Sequence, residues 1–385
     1  MHEVSNVENV VLGIVALLLI GAAILWATRR VKVPFTVVLV LAGMALGENA
    51  HWFPHALAPL KDLAISPELI FYVFLPTLVF ESAFNLDARQ LRRNLGPVLT
   101  LAVPGLLLST LLIGLVVSWA TSISFPAALL LGSILSATDP VAVIALFKHL
   151  GAPQRLTVLM EGESLLNDAT SIVVSRILLG VVMAGVASMD TVLGGAVDFV
   201  TLFVGGLAVG AILGYVVGFV LGKVESDPFI EITLTTILAY LSFIVAEAWL
   251  HVSGIMATIG AGLVLGGWGR MKVSPGVRHY LEHFWEYAAF IANTLIFLMV
   301  GLRVDVPGLV GSFDLLIWVL LAMLVSRAVV VYGLMPLIGR GRRSEEVPLP
   351  YQSLMFWGGL RGAIALGIVM SLPEFEYSEV FFSLV

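Results

Sequence analysis

Residues 131–176 read LGSILSATDPVAVIALFKHLGAPQRLTVLMEGESLLNDATSIVVSR and set acidic side chains within strongly apolar sequence. The acids are Asp139, Glu161, Glu163 and Asp168. A charged side chain at the centre of a membrane-spanning helix costs roughly 2.5–3.5 kcal/mol on insertion scales. An acid kept at that cost is typical of a functional site within the membrane.

The composition is that of an integral membrane protein. Of the 385 residues, 59% are hydrophobic and 12% are charged, whereas a soluble domain has about 25% charged residues. The mean hydropathy is +1.03. The chain contains no cysteine, which excludes disulfides and cysteine-ligated metal centres. We expect no cofactor, and no nucleic-acid partner for a chain embedded in the lipid bilayer.

Apolar segments follow one another along the whole chain. A hydrocarbon core of about 30 Å is crossed by about 20 helical residues. The predicted segments 1 to 12 are 9–28, 33–48, 67–86, 96–120, 125–148, 155–184, 195–222, 228–250, 253–269, 284–302, 313–338 and 350–372. A thirteenth begins near Ser378 and stops with the chain at Val385. The sequence predicts an all-α membrane protein with 12 transmembrane helices and the start of a thirteenth.

The basic residues predict the orientation of these segments. Loops that follow odd-numbered segments hold 15 of the 20 Lys and Arg, whereas most loops that follow even-numbered segments carry acids. Basic loops face the cytoplasm. We therefore expect the N-terminus outside, in the plasma (inner) membrane, and we interpret segment 1 as a span rather than a signal peptide because it lacks a basic flank and a cleavage site.

Segment 7 contains a glycine at every fourth position over five turns. The five are Gly206, Gly210, Gly214, Gly218 and Gly222. Glycines at this spacing expose backbone along one helical face and favour close packing with another helix. A hinge is the alternative.

The SATDPVA motif predicts a break in segment 5. Proline is favoured at the first position of a helix, and Thr or Asp at the cap before it. Thr138, Asp139 and Pro140 thus indicate that one helix ends and another begins within the membrane. Unpaired backbone groups at such a break are tolerated where they line a wet cavity, and transporters build cation sites in this way. Asp139 binds a cation or caps the second half-helix, and one carboxylate can do both.

Segment 6 supplies a second set of polar side chains. Ser164 and Asp168 are four residues apart and share one helical face, with Glu163 and Asn167 on the adjacent stripe. At about 1.5 Å per residue, Asp168 lies about 20 Å from the predicted cytoplasmic end of the segment, near the bilayer midplane. Two carboxylates with oxygens from Ser164, Asn167 and the Thr138 carbonyl suit a hard cation.

Other charged side chains also fall within predicted spans. Glu81, in FLPTLVFES, is a gate, a cation ligand or an interfacial carboxylate. Arg361, in GGLRGAI, requires a nearby acid, and Glu163 is the candidate. That pair is interpreted as a clamp between two broken helices, with direct involvement in binding as the alternative. No partner is identified for Arg176 or Arg327.

The two interrupted segments predict an internal symmetry. GGLRGAI interrupts segment 12 as SATDPVA interrupts segment 5, seven segments earlier. An odd offset places the two in opposite orientation, as in inverted repeats of segments 1–6 and 8–13.

Four motifs taken in order resemble the NhaP-type sodium/proton antiporters, members of the monovalent cation:proton antiporter family with eukaryotic relatives. The motifs are FLPTLVFES, ATDPVAV, EGESLLNDATS and GGLRGAIAL, and the resemblance covers essentially the whole chain. It implies a transporter rather than an enzyme. The cation ligands that it implies are Asp168, Ser164, the Thr138 backbone, Asp139 and Glu81, with Glu163 and Arg361 as a structural ion pair.

The resemblance also implies a homodimer of two-domain chains. Residues 1–94 (segments 1–3) and 191–310 (segments 7–10) would form the dimerisation domain. Residues 95–190 (segments 4–6) and 311–385 (segments 11–13) would form the ion-transport core. In the family, Asn before Asp on segment 6, here Asn167 and Asp168, marks members that exchange one cation for one proton. The chain departs from the family by stopping at the start of segment 13, so we expect a fragment or further sequence beyond Val385.

These features predict a secondary transporter that exchanges Na⁺ or Li⁺ for H⁺ by alternating access and serves pH homeostasis. Burial raises the proton affinity of a carboxylate and a nearby cation lowers it, so proton and cation compete for one site. A K⁺/H⁺ antiporter with the same ligands is the nearest alternative. An ion channel is disfavoured because no repeated pore loop is present. An intramembrane aspartyl hydrolase using Asp139 and Asp168 is a distant alternative that leaves the broken helices unexplained.

Overall fold

The residues described by a computed structural model fold into helices, and seven of these helices are long and apolar enough to cross a membrane. The structure describes residues 2–31, 33–48, 69–140, 143–144, 147, 151–185, 189–224, 227–304, 313–339, 346–359, 362–373, 375 and 377–384. Within these ranges every regular element is a helix. The predicted all-α class is therefore confirmed.

The helices are defined here in chain order. They are α1 (His2–Val31), α2 (Phe35–Glu48), α3 (a π-helical turn Ile70–Phe74, then Leu75–Asn85), α4 (Ala88–Arg93), α5 (Leu95–Thr100, π turn Leu101–Gly105, Leu106–Ala120), α6 (Phe125–Leu135), α7 (Gln154–Ala184), α8 (Met189–Leu221), α9 (Pro228–Ile244, π turn Val245–Trp249), α10 (Gly254–Gly266), α11 (Pro275–Arg303), α12 (Phe313–Ala328, π turn Val329–Leu334, Met335–Gly339), α13 (Leu349–Trp357), α14 (Ala363–Ser371) and α15 (Ser378–Leu384). A 3₁₀ turn, Gly269–Met271, joins α10 to α11.

Most predicted segments agree with these bounds to within a few residues, and the largest difference is at α11. This helix begins at Pro275, whereas the predicted segment begins at 284. Its first turns carry polar side chains such as His279, Glu282 and His283. The prediction used hydropathy and therefore left out these polar turns, whereas a helix can extend beyond the apolar core of the membrane.

Both predicted breaks are present. α6 ends at Leu135 and residues 137–140 are not helical, after which the Ile144 N–H donates to the Pro140 carbonyl at 2.8 Å and starts a new turn. α13 ends at Trp357 and α14 begins at Ala363. Arg361 lies between them, outside the described residues. The inverted repeat that these two breaks suggest stays a prediction.

The glycine stripe of α8 packs against α10 and the residues that flank it. A Cβ added at Gly214 would lie 3.1 Å from both the Ala261 carbonyl oxygen and the Val264 Cβ, and one at Gly218 would lie 2.8 Å from the Trp268 ring. The predicted close packing of this face is confirmed, because the helices approach backbone to backbone where side chains are missing.

The start of α7 meets the loops around α4. The Arg155 Nε donates to the Asn94 Oδ1 at 2.9 Å, and the Gln154 Nε2 donates to the Asp87 Oδ2 at 3.3 Å. Asp87 also caps α4 by accepting from the Arg89 and Gln90 backbone N–H groups, both at 3.0 Å. Two loops that the charge pattern placed on the same side of the membrane therefore lie together.

Candidate ion-binding site

A cavity of about 720 Å³ enters the molecule beside the start of α7 and reaches the break after α6. We call this cavity the funnel. Its mouth is lined by Asp87, Gly151 and Gln154, and its inner end by Asp139 and Asp168, among other residues. The funnel also contains Ser164 and Glu81, so the structure brings four of the five predicted cation ligands to one cavity.

One face of α7 forms a polar stripe along the funnel. Thr157, Glu161, Ser164 and Asp168 occupy successive turns and all line the cavity, as their spacing of three or four residues requires of a helix. The shared face predicted for Ser164 and Asp168 is therefore confirmed. An ion that enters at the mouth meets oxygen atoms at each turn down to Asp168.

The break after α6 is held by the side chain of Asn167. Its Nδ2 donates to the Thr138 Oγ1 at 2.7 Å, and its Oδ1 accepts from the Thr138 backbone N–H at 3.4 Å. Thr138 and Asn167 are 4% and 3% exposed, so these bonds satisfy polar groups that have left the helical ladder inside the protein. Asn167 thus supports the break. Asp139, the residue after Thr138, lines the funnel.

The second break approaches the same carboxylate. Gly362, just before α14, lines the funnel, and a Cβ added to it would lie 2.6 Å from the Asp139 Oδ2. Only a residue without a side chain allows the start of α14 to come this close. The two breaks therefore meet at Asp139, which neither motif alone reveals.

The other wall of the funnel comes from α3 and α11. Glu81 lies on α3, where its Oε1 accepts from the Asn85 Nδ2 at 2.8 Å. From α11, Asn293 and Glu282 line the cavity. The sequence interpretation missed Asn293, whose signal is a lone amide within the apolar run of α11.

The buried charge of Glu163 is paired with Arg327. Both terminal nitrogens of Arg327 donate to the two carboxylate oxygens, the second contact, Nη2 to Oε2, at 3.2 Å. The side chains are only 3% and 11% exposed. The hypothesis that paired Glu163 with Arg361 did not anticipate this partner, and Arg361 itself lies outside the described residues.

Arg327 also joins α12 to the break after α13. Its Nη2 donates to the Met355 carbonyl at 2.8 Å, and a Cβ added to Gly359 would lie 2.8 Å from its Nε. One guanidinium therefore links α7, α12 and the end of α13. Glu163 therefore takes part in an ion pair that links helices, whereas its predicted pairing with Arg361 stays a prediction.

Asp139 and Asp168 both line the inner end of the funnel. Two carboxylates with like charge favour the uptake of a proton or a cation, which relieves the repulsion. Among the residues that the structure describes, no group of three or more His, Cys, Asp or Glu is arranged to hold a metal ion. A bound cation would therefore need hydroxyl and backbone oxygens beside the two carboxylates.

Comparison with known proteins assigns the chain to a family. A family model described as "Sodium/hydrogen exchanger, transmembrane" matches residues 14–384. The chain belongs to the sodium/hydrogen exchanger family. This member is 35% identical over 343 residues to the Na⁺/H⁺ antiporter ApNhaP of Aphanothece halophytica, and 37% identical over 347 residues to the low-affinity Na⁺/H⁺ antiporter NhaS1 of a Synechocystis species.

The extent of these matches differs among the relatives. The chain spans 63% of the length of ApNhaP and of NhaS1, and each match covers 89% of this chain. A match to the Na⁺/H⁺ antiporter NhaH of Halobacillus aidingensis, at 32% identity, covers 98% of this chain and 95% of that protein. These relatives are transporters rather than enzymes.

The fold is also that of a solved family member. The structure of the sodium proton antiporter MjNhaP1 from Methanocaldococcus jannaschii at pH 8 superposes with a TM-score of 0.76 at 20% identity, covering 96% of this chain and 86% of that one. The predicted resemblance to NhaP-type antiporters is therefore confirmed.

We expect Glu163→Gln or Arg327→Gln alone to destabilise the folded protein strongly, because each leaves the other charge buried without its partner, at a cost of about 3–5 kcal/mol. The double variant should lose clearly less unfolding free energy than the two single variants lose in sum. Thermal unfolding of the purified protein in detergent measures this.

Arg278→Gln is the matched control. Arg278 is 44% exposed in its ion pair with Glu282, and exposed pairs contribute about 0–1 kcal/mol. Strictly additive losses in the Glu163 and Arg327 cycle would show that the two residues do not act as a pair.

Proposed function

We propose that this protein exchanges Na⁺, or Li⁺, for H⁺ across the membrane, one for one, by alternating access. The observation that carries the proposal is the meeting of Asp139, Asp168 and Ser164 at the inner end of the funnel, beside two broken helices. In many secondary transporters, the unwound backbone carbonyls and the ends of broken helices near the bilayer midplane form the cation site.

In this proposal the cation is held by Asp168 and Ser164 on α7, and by Asp139 and the Thr138 backbone at the break. Glu81 lines the funnel from α3 and would join these ligands only in another state of the cycle, because the structure does not gather it into one group with the two aspartates. Proton and cation exclude each other because both neutralise the same carboxylates. The carboxylates release the proton when the cation binds, and the reverse step releases the cation.

The funnel supports a state in which the site opens to one side. It begins at the start of α7 and reaches Asp168, and beyond Asp168 the residues Ala169–Ser175 are buried. Arg155 and Arg270 lie at the funnel end of the molecule. The positive-inside rule makes that end cytoplasmic, so we assign an inward-facing state with the N-terminus outside, in the cell membrane.

The packing supports the proposed division into two domains. α7 packs on α5 and α6, and α12 packs on α5, whereas α8 packs on α10 and α11 packs on α2 and α3. We assign α5–α7 and α12–α15 to the moving core, and α1–α4 and α8–α11 to the domain that forms a homodimer. Movement of the core relative to this frame would carry the site between the two sides.

Sodium is favoured over potassium by the relatives, which are named Na⁺/H⁺ antiporters. The oxygen ligands themselves suit either ion. A K⁺/H⁺ antiporter with the same site is the alternative, and flux measured with each alkali cation in turn separates the two.

We expect Asp168→Asn to abolish cation-driven proton flux while the protein stays folded, because an amide cannot exchange a proton for a cation. Purified protein is reconstituted in vesicles loaded with a pH dye and challenged with Na⁺. Thr233→Ala, a change at an exposed position of α9 outside the funnel, is the control and should retain the flux. Full exchange by well-folded Asp168→Asn would remove the proposed site.

We expect no proton flux when a potassium diffusion potential is set with valinomycin in vesicles without a pH or sodium gradient. Glu163 is neutralised by Arg327 and Asn167 is an amide bound to Thr138, which leaves Glu161 and Asp168 as the acids of α7 in the funnel. We assign exchange to Asp168, because it lies at the inner end of the funnel with Asp139. If Asp139 stays charged throughout, equal charge moves in both directions. A potential of 100 mV contributes about 2.3 kcal/mol for each net charge that crosses the membrane. If the cycle were electrogenic, this potential would produce a measurable proton flux.

A sodium-dependent pH change that follows the sign of the potential, and that is absent in Asp168→Asn, would overturn the one-for-one stoichiometry.

A further inference from the structure

A second cavity lies at the opposite end of α7 from the funnel. We call this cavity, of about 310 Å³, the vestibule. On α7 the funnel reaches Asp168, and the vestibule begins at Ile172, one helical turn further along the same helix. Its other walls come from α3, α9 and α14. Two cavities thus approach the same level of α7 from opposite ends.

An ion pair crosses the vestibule. The Arg176 Nη1 lies 2.7 Å from the Glu247 Oε1, and both residues line the cavity. Glu247 is well anchored, because its other oxygen accepts from the Gly254 backbone N–H, at the start of α10, at 3.0 Å. It also lies in the π turn at the end of α9, and π turns within α-helices occur frequently at functional sites.

This pair connects the two domains assigned above. Arg176 belongs to α7 of the core, and Glu247 belongs to α9 of the dimerisation domain. By comparison, Glu163 with Arg327 lies within the core, and the pairs of residues 270–286 lie within the dimerisation domain. Relative movement of the domains would leave those pairs intact but must stretch the contact of Arg176 with Glu247.

We propose that Arg176 and Glu247 form a gate that closes the vestibule while the funnel is open, and that they separate when the site opens to the vestibule side. The inference rests on the proposed alternating access. Arg176 is eight residues from Asp168 on one continuous helix, about 12 Å along its axis. A movement of α7 that exposes Asp168 to the vestibule therefore carries Arg176 away from Glu247.

The gate has a thermodynamic consequence for transport. A contact made in one state and absent from the other shifts the equilibrium between the states by its own free energy. Arg176 is 45% exposed in this pair, and partly exposed ion pairs contribute modestly. Removing either charge should therefore increase the fraction of protein with an open vestibule by about two- to fivefold.

The absence of cysteine from the sequence provides a direct test. Ser371 lies on α14 and lines the vestibule, so Ser371→Cys introduces a single thiol there. A membrane-impermeant maleimide added on the vestibule side reports how often the cavity opens. We expect the labelling rate to rise about two- to fivefold when Arg176→Gln is added.

The sign of this change is informative. Loss of a nearby positive charge by itself lowers the thiolate fraction of a cysteine and slows its reaction, so faster labelling in Arg176→Gln reports opening. Glu247→Gln should also accelerate labelling, and the charge swap Arg176→Glu with Glu247→Arg should return the rate toward that of the parent. Arg278→Gln, which alters an ion pair within α11 alone, is the matched control and should have no effect.

The possible results separate the gate from the proposed function. If the Ser371→Cys parent exchanges Na⁺ for H⁺ but Arg176→Gln leaves the labelling rate unchanged, the gate is wrong and the exchange mechanism stands. If the parent shows neither proton flux nor sodium-dependent labelling, the proposed function fails. If Arg176→Gln does not fold, Arg176→Lys is compared with the charge swap. Labelling of both variants at the parent rate supports the gate, and faster labelling of the charge swap overturns it.

Discussion

The structure depends on how charge and polar backbone are compensated inside a membrane-spanning bundle. An ionised side chain buried without a partner costs several kcal/mol, and so does an unpaired backbone group in hydrocarbon. Glu163 is compensated permanently by Arg327, and the break after α6 is compensated by the amide of Asn167. Asp139 and Asp168 instead face the funnel. In the proposed cycle a bound proton or cation compensates the charge of these two carboxylates. Because that ion is mobile, the site can exchange one for the other.

The helix α7 connects every part of this arrangement. Along one helix it carries the polar stripe of the funnel, Asp168, the buried Glu163 and the Arg176 of the vestibule. Arg327 fixes α7 to α12 and to the end of α13. The core therefore has few ways to deform locally, and the proposed transition between states is a movement of the core as a unit against α9 and α10.

Local chemistry explains what the sequence predicted well. Thr138 and Asp139 before Pro140 favour the start of a new helix, and glycines at every fourth position of α8 expose backbone for close packing, so both features follow from short motifs. Ser164 and Asp168 share a face because the helical period requires it. The contact of Glu163 with Arg327 could not be obtained in this way, because it depends on how α12 packs against α7. The approach of Gly362 to Asp139, the position of Asn293 and the vestibule likewise arise from tertiary contacts between distant segments.

The most direct test of the account is the release of protons when sodium binds. Purified protein in detergent, in a weakly buffered solution with a pH dye, is titrated with NaCl, and choline chloride controls for ionic strength. Competition at one carboxylate site predicts a saturable release that approaches one proton per chain and declines as the solution is made more alkaline, where the site is already deprotonated. Saturable sodium binding measured by calorimetry, without proton release at any pH at which sodium binds, would contradict the account.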